Sequence, residues 1–153
     1  VSVTPNYVPR TYKTINPLLV VKDARRALRF YNNAFGAETL MELVEPSGRV
    51  AHAEMRIEDT VLLLAEEDPR YQLSPESTGG AGVILQIYTG DVEGLFEAAV
   101  MAGAREVFPV REQFYGDRSG RVIDPFGHQW IIATHTEDVP PNEVKRRFDQ
   151  LYS

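Results

Sequence analysis

The sequence predicts an α+β protein of two βαβββ modules, forming a curved mixed sheet of eight strands with helices outside and a central cleft. Three observations predict it. A helix-like segment occurs twice, starting at Asp23 and again at Asp91, each time straight after an apolar run. Both copies close on Gly-Ala, at Gly36-Ala37 and Gly103-Ala104, and lead into a strand-like segment. The period is about half the chain, so the repeat is a duplicated module and not a solenoid. At 153 residues, 43% hydrophobic and 25% charged, the chain is long and apolar enough to bury a core.

The elements follow in order. Residues 1–13 carry Pro5 and Pro9 and no helical period. They read as an extended arm, laid on the surface or on a partner subunit, or as a loose terminus. Residues 15–21 form a strand that ends at Lys22-Asp23, where Asp23 is an N-cap. In the helix that follows, Ala24, Leu28 and Tyr31 share one face with Ala27 and Phe35 close by, and Arg25, Arg26 and Arg29 take the other. Gly36 ends it as a residue able to adopt positive φ. Burying Leu28, Tyr31 and Phe35 contributes about 2 kcal/mol each.

Strands are expected over 39–44, 49–57 and 60–65, with turns at Pro46-Ser47-Gly48 and Glu58-Asp59. The middle strand alternates: Ala51, Ala53, Met55 and Ile57 point one way, His52, Glu54 and Arg56 the other. Residues 67–80 mix acid, proline, serine and glycine and read as the linker between modules 14–66 and 81–138. The second module repeats the order: strand 82–89, helix 91–102, strand 105–111, a strand 114–123 broken by Gly116 and Gly120, a tight turn at Asp124-Pro125-Phe126-Gly127, and a last strand 128–134. A helix over 141–152, in the C-terminal segment 139–153, presents Val144, Phe148 and Leu151 on one face, with Pro140 and Pro141 at its start.

Charge and composition exclude several partners. A net charge of −6 argues against nucleic acid and anionic membranes, which need basic surfaces. With no cysteine there is neither a disulfide nor a thiolate nucleophile. No apolar run approaches the ~18 residues of a membrane span. The first residues lack a charged-then-apolar signal pattern, so the expected location is cytoplasmic.

Two paired modules, the Phe30-Tyr31…Phe35-Gly36-Ala37-Glu38 segment and the Asp124-Pro125-Phe126-Gly127-His128 turn together resemble the vicinal oxygen chelate superfamily, which holds glyoxalases, fosfomycin-resistance proteins, extradiol dioxygenases and bleomycin-resistance proteins. Finer details, at Pro17–Val21, Gly48–Glu54 and Tyr115–Val122, resemble its PhnB-like subgroup. The resemblance covers about residues 14–138 and implies a homodimer. It also implies where a metal would sit in metal-using members: on the first and fourth strands of each module. Mapped by distance from Asp23, Asp91 and Asp124, these positions are Asn16, a site near Leu63, Ile84 and Ile131. One amide and three hydrocarbon side chains do not make a divalent-ion site, and a slip of one residue turns side chains to the wrong face. No metal and no other cofactor is expected.

The histidines offer little more. His52 and Glu54 share a strand face at i, i+2, so the pair can relay a proton or bind a metal; the competing reading is a hydrogen-bonded pair on a cleft wall or interface. His128 sits in a turn, tying down backbone, and His135 ends the last strand in solvent. Strand parity gives the cleft-facing residues: Asn16, Leu18 and Val20; Ile84, Gln86 and Tyr88; Gln129 and Ile131; and the His52, Glu54, Arg56 row. Phe114, Tyr115 and Arg118 join them at the cleft mouth, where Gly116 and Gly120 leave space. Trp130 has the opposite parity and belongs to the core. An apolar set with a few convergent polar groups has the character of a small-molecule pocket. The function expected is a small-molecule-binding protein, sequestering a planar or aromatic compound such as an antibiotic. The alternatives are a glyoxalase-like lyase or isomerase, or a dioxygenase-type enzyme with an atypical site, and an interaction module with no small ligand.

Overall fold

The structure is a computed structural model and describes residues 4–153. The chain divides into two compact units, Val1–Gly80 and Ala81–Ser153. Eight strands fall into two mixed sheets of four.

In the first unit β1 (Leu18–Val21), α1 (Ala24–Phe35), β2 (Glu38–Val44), β3 (Val50–Ile57) and β4 (Thr60–Glu66) follow one another. The sheet order is β1-β4-β3-β2, with β1 parallel to β4 and the other pairs antiparallel. The start of α1 is held twice. Asp23 accepts from the Arg26 amide at 3.1 Å, and Glu66 accepts from the Ala24 amide at 2.9 Å. Gly36 closes the helix at φ 68°, in the left-handed region. The apolar side of α1, including Leu28, Tyr31 and Phe35, is buried with Leu19, Val21, Ala53, Met55, Ile57 and Leu64. The alternation in β3 holds from Ala53 to Ile57, but Val50, and not Ala51, is buried at its start. The reason is a register shift against β2 between Leu43 and Val44.

Residues 67–80 are more ordered than a plain linker. An Asp68–Gln72 bridge and the short helix α2 (Pro75–Thr78) fold them back, and the Glu67 carboxylate accepts from Ser74 and Ser77. In the N-terminal stretch, residues 1–3 lie outside the described residues. Tyr12 donates its hydroxyl to Glu54, and the Asn16 amide is bonded both ways to the Lys13 backbone. This end of the arm is therefore tied to its own unit.

The second unit holds β5 (Ile84–Tyr88), α3 (Val92–Ala102), β6 (Arg105–Glu112), β7 (Asp117–Ile123), β8 (Gln129–His135) and α4 (Pro141–Gln150). The order β5-β8-β7-β6 repeats the first sheet, including the one parallel pair. Asp91 caps α3 through the Gly94 amide at 3.0 Å. The strand expected from residue 114 begins only at Asp117: residues 114–116 make a turn, closed by Gln113 N donating to Asp117 O at 2.7 Å. Pro109 lies in β6 at the sheet edge, where a missing N–H costs no ladder bond. On the core side, Asp124 accepts from the amides of Phe126 and His128 and from the Trp130 indole, which places Trp130 in the core as expected. The apolar face expected of α4 is only partly covered: Phe148 packs on Phe114, and Leu151 stays exposed. Among the described residues no helix is long and apolar enough to cross a membrane.

Candidate functional site

Cross-strand partners point to the same side of a sheet, so the registers place each side chain. In the first unit one row runs Leu18–Leu63–Glu54–Met41, on the face away from α1. His52 and Arg56 share that face with Glu54. Of the two readings of the His52–Glu54 pair, proton relay or metal ligand against a hydrogen-bonded pair, the structure shows the hydrogen-bonded one. His52 Nε2 lies 3.4 Å from Glu54 Oε1, and the same oxygen accepts the Tyr12 hydroxyl. That bond, more than burial, raises the Tyr12 pKa above its usual value. Arg56 is engaged by Glu38 at 2.9 Å.

In the second unit the rows on the face away from α3 are Ile84–Gln129–Ile123–Arg105, Gln86–Ile131–Arg121–Phe108 and Tyr88–Ala133–Ser119–Arg111. Ile84, Gln86, Tyr88, Gln129 and Ile131 are thus on one face, as parity predicts. Phe114 and Arg118 are not with them. Phe114 is packed against Phe148 and Tyr115, and its carbonyl accepts from Arg147. Arg118 is turned to the helix side, where Glu93 of α3 and Glu112 take its charge. Nor do the two glycines leave space for a ligand. A Cβ on Gly120 would meet Phe96, and one on Gly116, at φ 102°, would meet the carbonyl of Glu137. Both are small because the protein's own atoms fill the position.

This face carries a cavity of about 270 Å³. Phe108, Arg111, Ser119, Arg121 and Ile131 line it, with Tyr115 from the 114–116 turn. Its wall depends on an irregularity in β6. Strict alternation puts residues 108 and 111 on opposite faces. Register shifts on either side of Phe108 set Phe108 opposite Arg121 and Arg111 opposite Ser119, so both reach the same side. Phe108, Arg111, Ser119 and Arg121 are absent from the set that parity selects. For Phe108 and Arg111 the sequence signal is Pro109, which marks an irregular edge strand, whereas Ser119 and Arg121 alternate regularly along β7, at the opposite parity to Arg118.

Beside the cavity lies a second group of polar residues. Asp117, buried, accepts from Tyr88 Oη at 2.6 Å and pairs with His135 Nδ1 at 2.8 Å. His135 Nε2 pairs in turn with Asp138 at 2.7 Å. The bond to Asp117, then burial, pushes the Tyr88 phenol up to about 12. Asp117 and then Asp138 raise the pKa of His135. His135, expected in solvent, has both ring nitrogens engaged. The two carboxylates sit on opposite ring nitrogens, so the arrangement clamps the ring and does not converge on a point.

The positions at which relatives would hold a metal do not fit one. Leu63, Ile84 and Ile131 offer hydrocarbon, and the Asn16 side chain is committed to Lys13. Glu66, next along β4, uses both carboxylate oxygens on the amides of Ala24 and Val50. Among the described residues no three His, Asp or Glu side chains group as a metal set.

A model of the glyoxalase/bleomycin resistance protein/dioxygenase superfamily matches residues 14–132. The chain belongs to this superfamily. Members similar to it include an uncharacterised protein of Mycobacterium bovis, 36% identical over 135 residues, 86% of this chain and 89% of that one. The crystal structure of an Arabidopsis thaliana gene product is 28% identical, with a TM-score of 0.65 over 80% of this chain and 98% of that chain. A PhnB protein from Bacillus cereus is 15% identical, with a TM-score of 0.61 over 80% and 99%, a likeness of fold alone. The superfamily thus accounts for the duplicated βαβββ module. It leaves the chemistry to the side chains, since one fold hosts many functions.

Proposed function

We propose that this superfamily member is a metal-free binding protein for a small planar or aromatic compound, held on the open sheet face of the second unit. The observation that carries this is the cavity of about 270 Å³ with Phe108 and Tyr115 in its wall. That volume is close to the lower end of the ~300–1,000 Å³ usual for ligand pockets, and the lining mixes apolar Phe108, Pro109 and Ile131 with polar Arg111, Ser119 and Arg121. Flat ligands stack on such rings. The PhnB-like segments of the sequence support placement in that subgroup, and a cytoplasmic homodimer is part of the same reading; native mass spectrometry finding only monomer removes the dimer.

The enzyme alternative relies on His52 and Glu54. The Glu54 oxygen nearest His52 already accepts from Tyr12, which leaves it poorly placed to take a proton from a substrate. Binding is therefore the better-supported reading.

The test is calorimetric titration with a panel of flat aromatic compounds, before and after dialysis against a chelator. Dissociation constants below about 1 mM, unchanged by the chelator, are expected. No binding by any compound overturns the proposal. Stoichiometric zinc, nickel, manganese or iron in protein purified without chelator overturns its metal-free part.

A further inference from the structure

The chain has 22 acidic residues against 16 lysines and arginines, so carboxylates are available to neutralise its cations. Several of its cations find one: Arg49 pairs with Glu45, Arg56 with Glu38, Arg118 with Glu93, Arg146 with Glu143 and Arg147 with Glu137. Two arginines that line the second unit's cavity do not. Among the described residues, neither Arg111 nor Arg121 has a carboxylate within 4.0 Å. Arg121 is half-buried. Its guanidinium lies 5.4 Å from the Phe108 ring centre and reaches Gln129 Oε1 at 3.4 Å. Its Nε is buried with no hydrogen-bond partner. Arg49 also has an unpartnered Nε, but its charge is met by Glu45 at 3.1 Å. The distinguishing feature of Arg121 is an unmet charge and an unmet donor together, beside a second unmet charge.

A partly desolvated cation without a counter-ion is costly, and an anion that supplies one recovers that cost. The guanidinium fork suits a carboxylate or phosphate, which it can engage through two parallel bonds. Ser119, opposite Arg111 in the register, adds a hydroxyl on the same wall.

We infer that the cavity takes a small molecule carrying an anionic group, a carboxylate or a phosphate, which Arg111 and Arg121 hold while Phe108 and Tyr115 pack its flat apolar part. The inference rests on the reading of this cavity as the ligand site. It narrows the ligand from flat compounds at large to flat anions.

The experiment compares three probes of one shape on the full chain by calorimetry: 2-naphthoate, 2-naphthyl phosphate and neutral 2-naphthylmethanol. At least one anion is expected to bind about tenfold more tightly than the alcohol, the scale of a charge-assisted hydrogen bond; which anion does so tells carboxylate from phosphate. Arg121→Met and Arg111→Gln should each remove about that factor for the anion and leave the alcohol unaffected. Arg121→Lys, which keeps the charge but loses the fork, should fall between. Arg146→Gln removes one positive charge outside the cavity and should change nothing. Thermal melts of every variant show that it is folded. Equal binding of alcohol and anions, or anion affinity unmoved by Arg121→Met and Arg111→Gln, overturns the anion inference and leaves the binding proposal standing. Failure of all three probes overturns both.

Discussion

Gly120 lies so close to Phe96 that a Cβ on it would stand 2.7 Å from the ring Cε2 and 3.0 Å from the Val110 amide nitrogen. The contact joins the middle of β7 to α3 and sets how near the helix approaches the sheet. Gly120→Ala should lower stability by about 1–3 kcal/mol through overpacking. Urea denaturation measures it, and adding Phe96→Leu should restore part of the loss. An unchanged midpoint for Gly120→Ala would mean the helix is free to move away.

Asp124 gathers three donors, the amides of Phe126 and His128 and the indole of Trp130. Asp124→Asn removes the charge and turns one acceptor into a donor, so about 1.5–3 kcal/mol should be lost. Trp130→Phe should cost less when Asp124 is already Asn than in the parent chain, because the two changes break one shared bond. A double-mutant cycle by chemical denaturation reads this coupling.

His135 should make stability depend on pH on the alkaline side. Its hydrogen bonds to Asp117 and Asp138 raise its folded pKa above the ordinary 6.5. The extra stability is therefore complete below about 6.5 and is lost as pH rises through the folded value. The Tyr88 phenol, held at about 12, titrates above this window. Melting temperatures from about pH 5 to pH 9 should show the fall, and His135→Gln should flatten it.

Glu67 should act on the acid side. The Ser74 hydroxyl, then the Ser74 amide and the Ser77 hydroxyl, hold its carboxyl at about 2, below the ordinary 4.5. A depressed pKa contributes stability above about 4.5 that is lost as pH falls toward 2. The difference in melting temperature between the parent and Glu67→Gln should thus be present near neutrality and shrink in acid. A difference that grows in acid would contradict this assignment.

Much of the architecture is determined by the sequence itself, because its signals are local. Asp23 and Asp91 before apolar helical stretches, Gly36 and Gly103 after them, and the alternation from Ala53 to Ile57 each act within a few residues of chain. They suffice to define two modules and the sheet face on which Ile84, Gln86 and Ile131 lie. Tertiary structure decided the rest, because it depends on partners far apart in sequence. Parity alone cannot see the register shifts that bring Phe108 and Arg111 to one wall. Composition cannot tell that Arg118 is neutralised by Glu93 while Arg121, three residues on, is not. Nor can it show that His135 closes on a buried Asp117 eighteen residues earlier. Strand character is written residue by residue, but which side chains share a cavity and which charges are met follow from register, and register is a property of the paired strands.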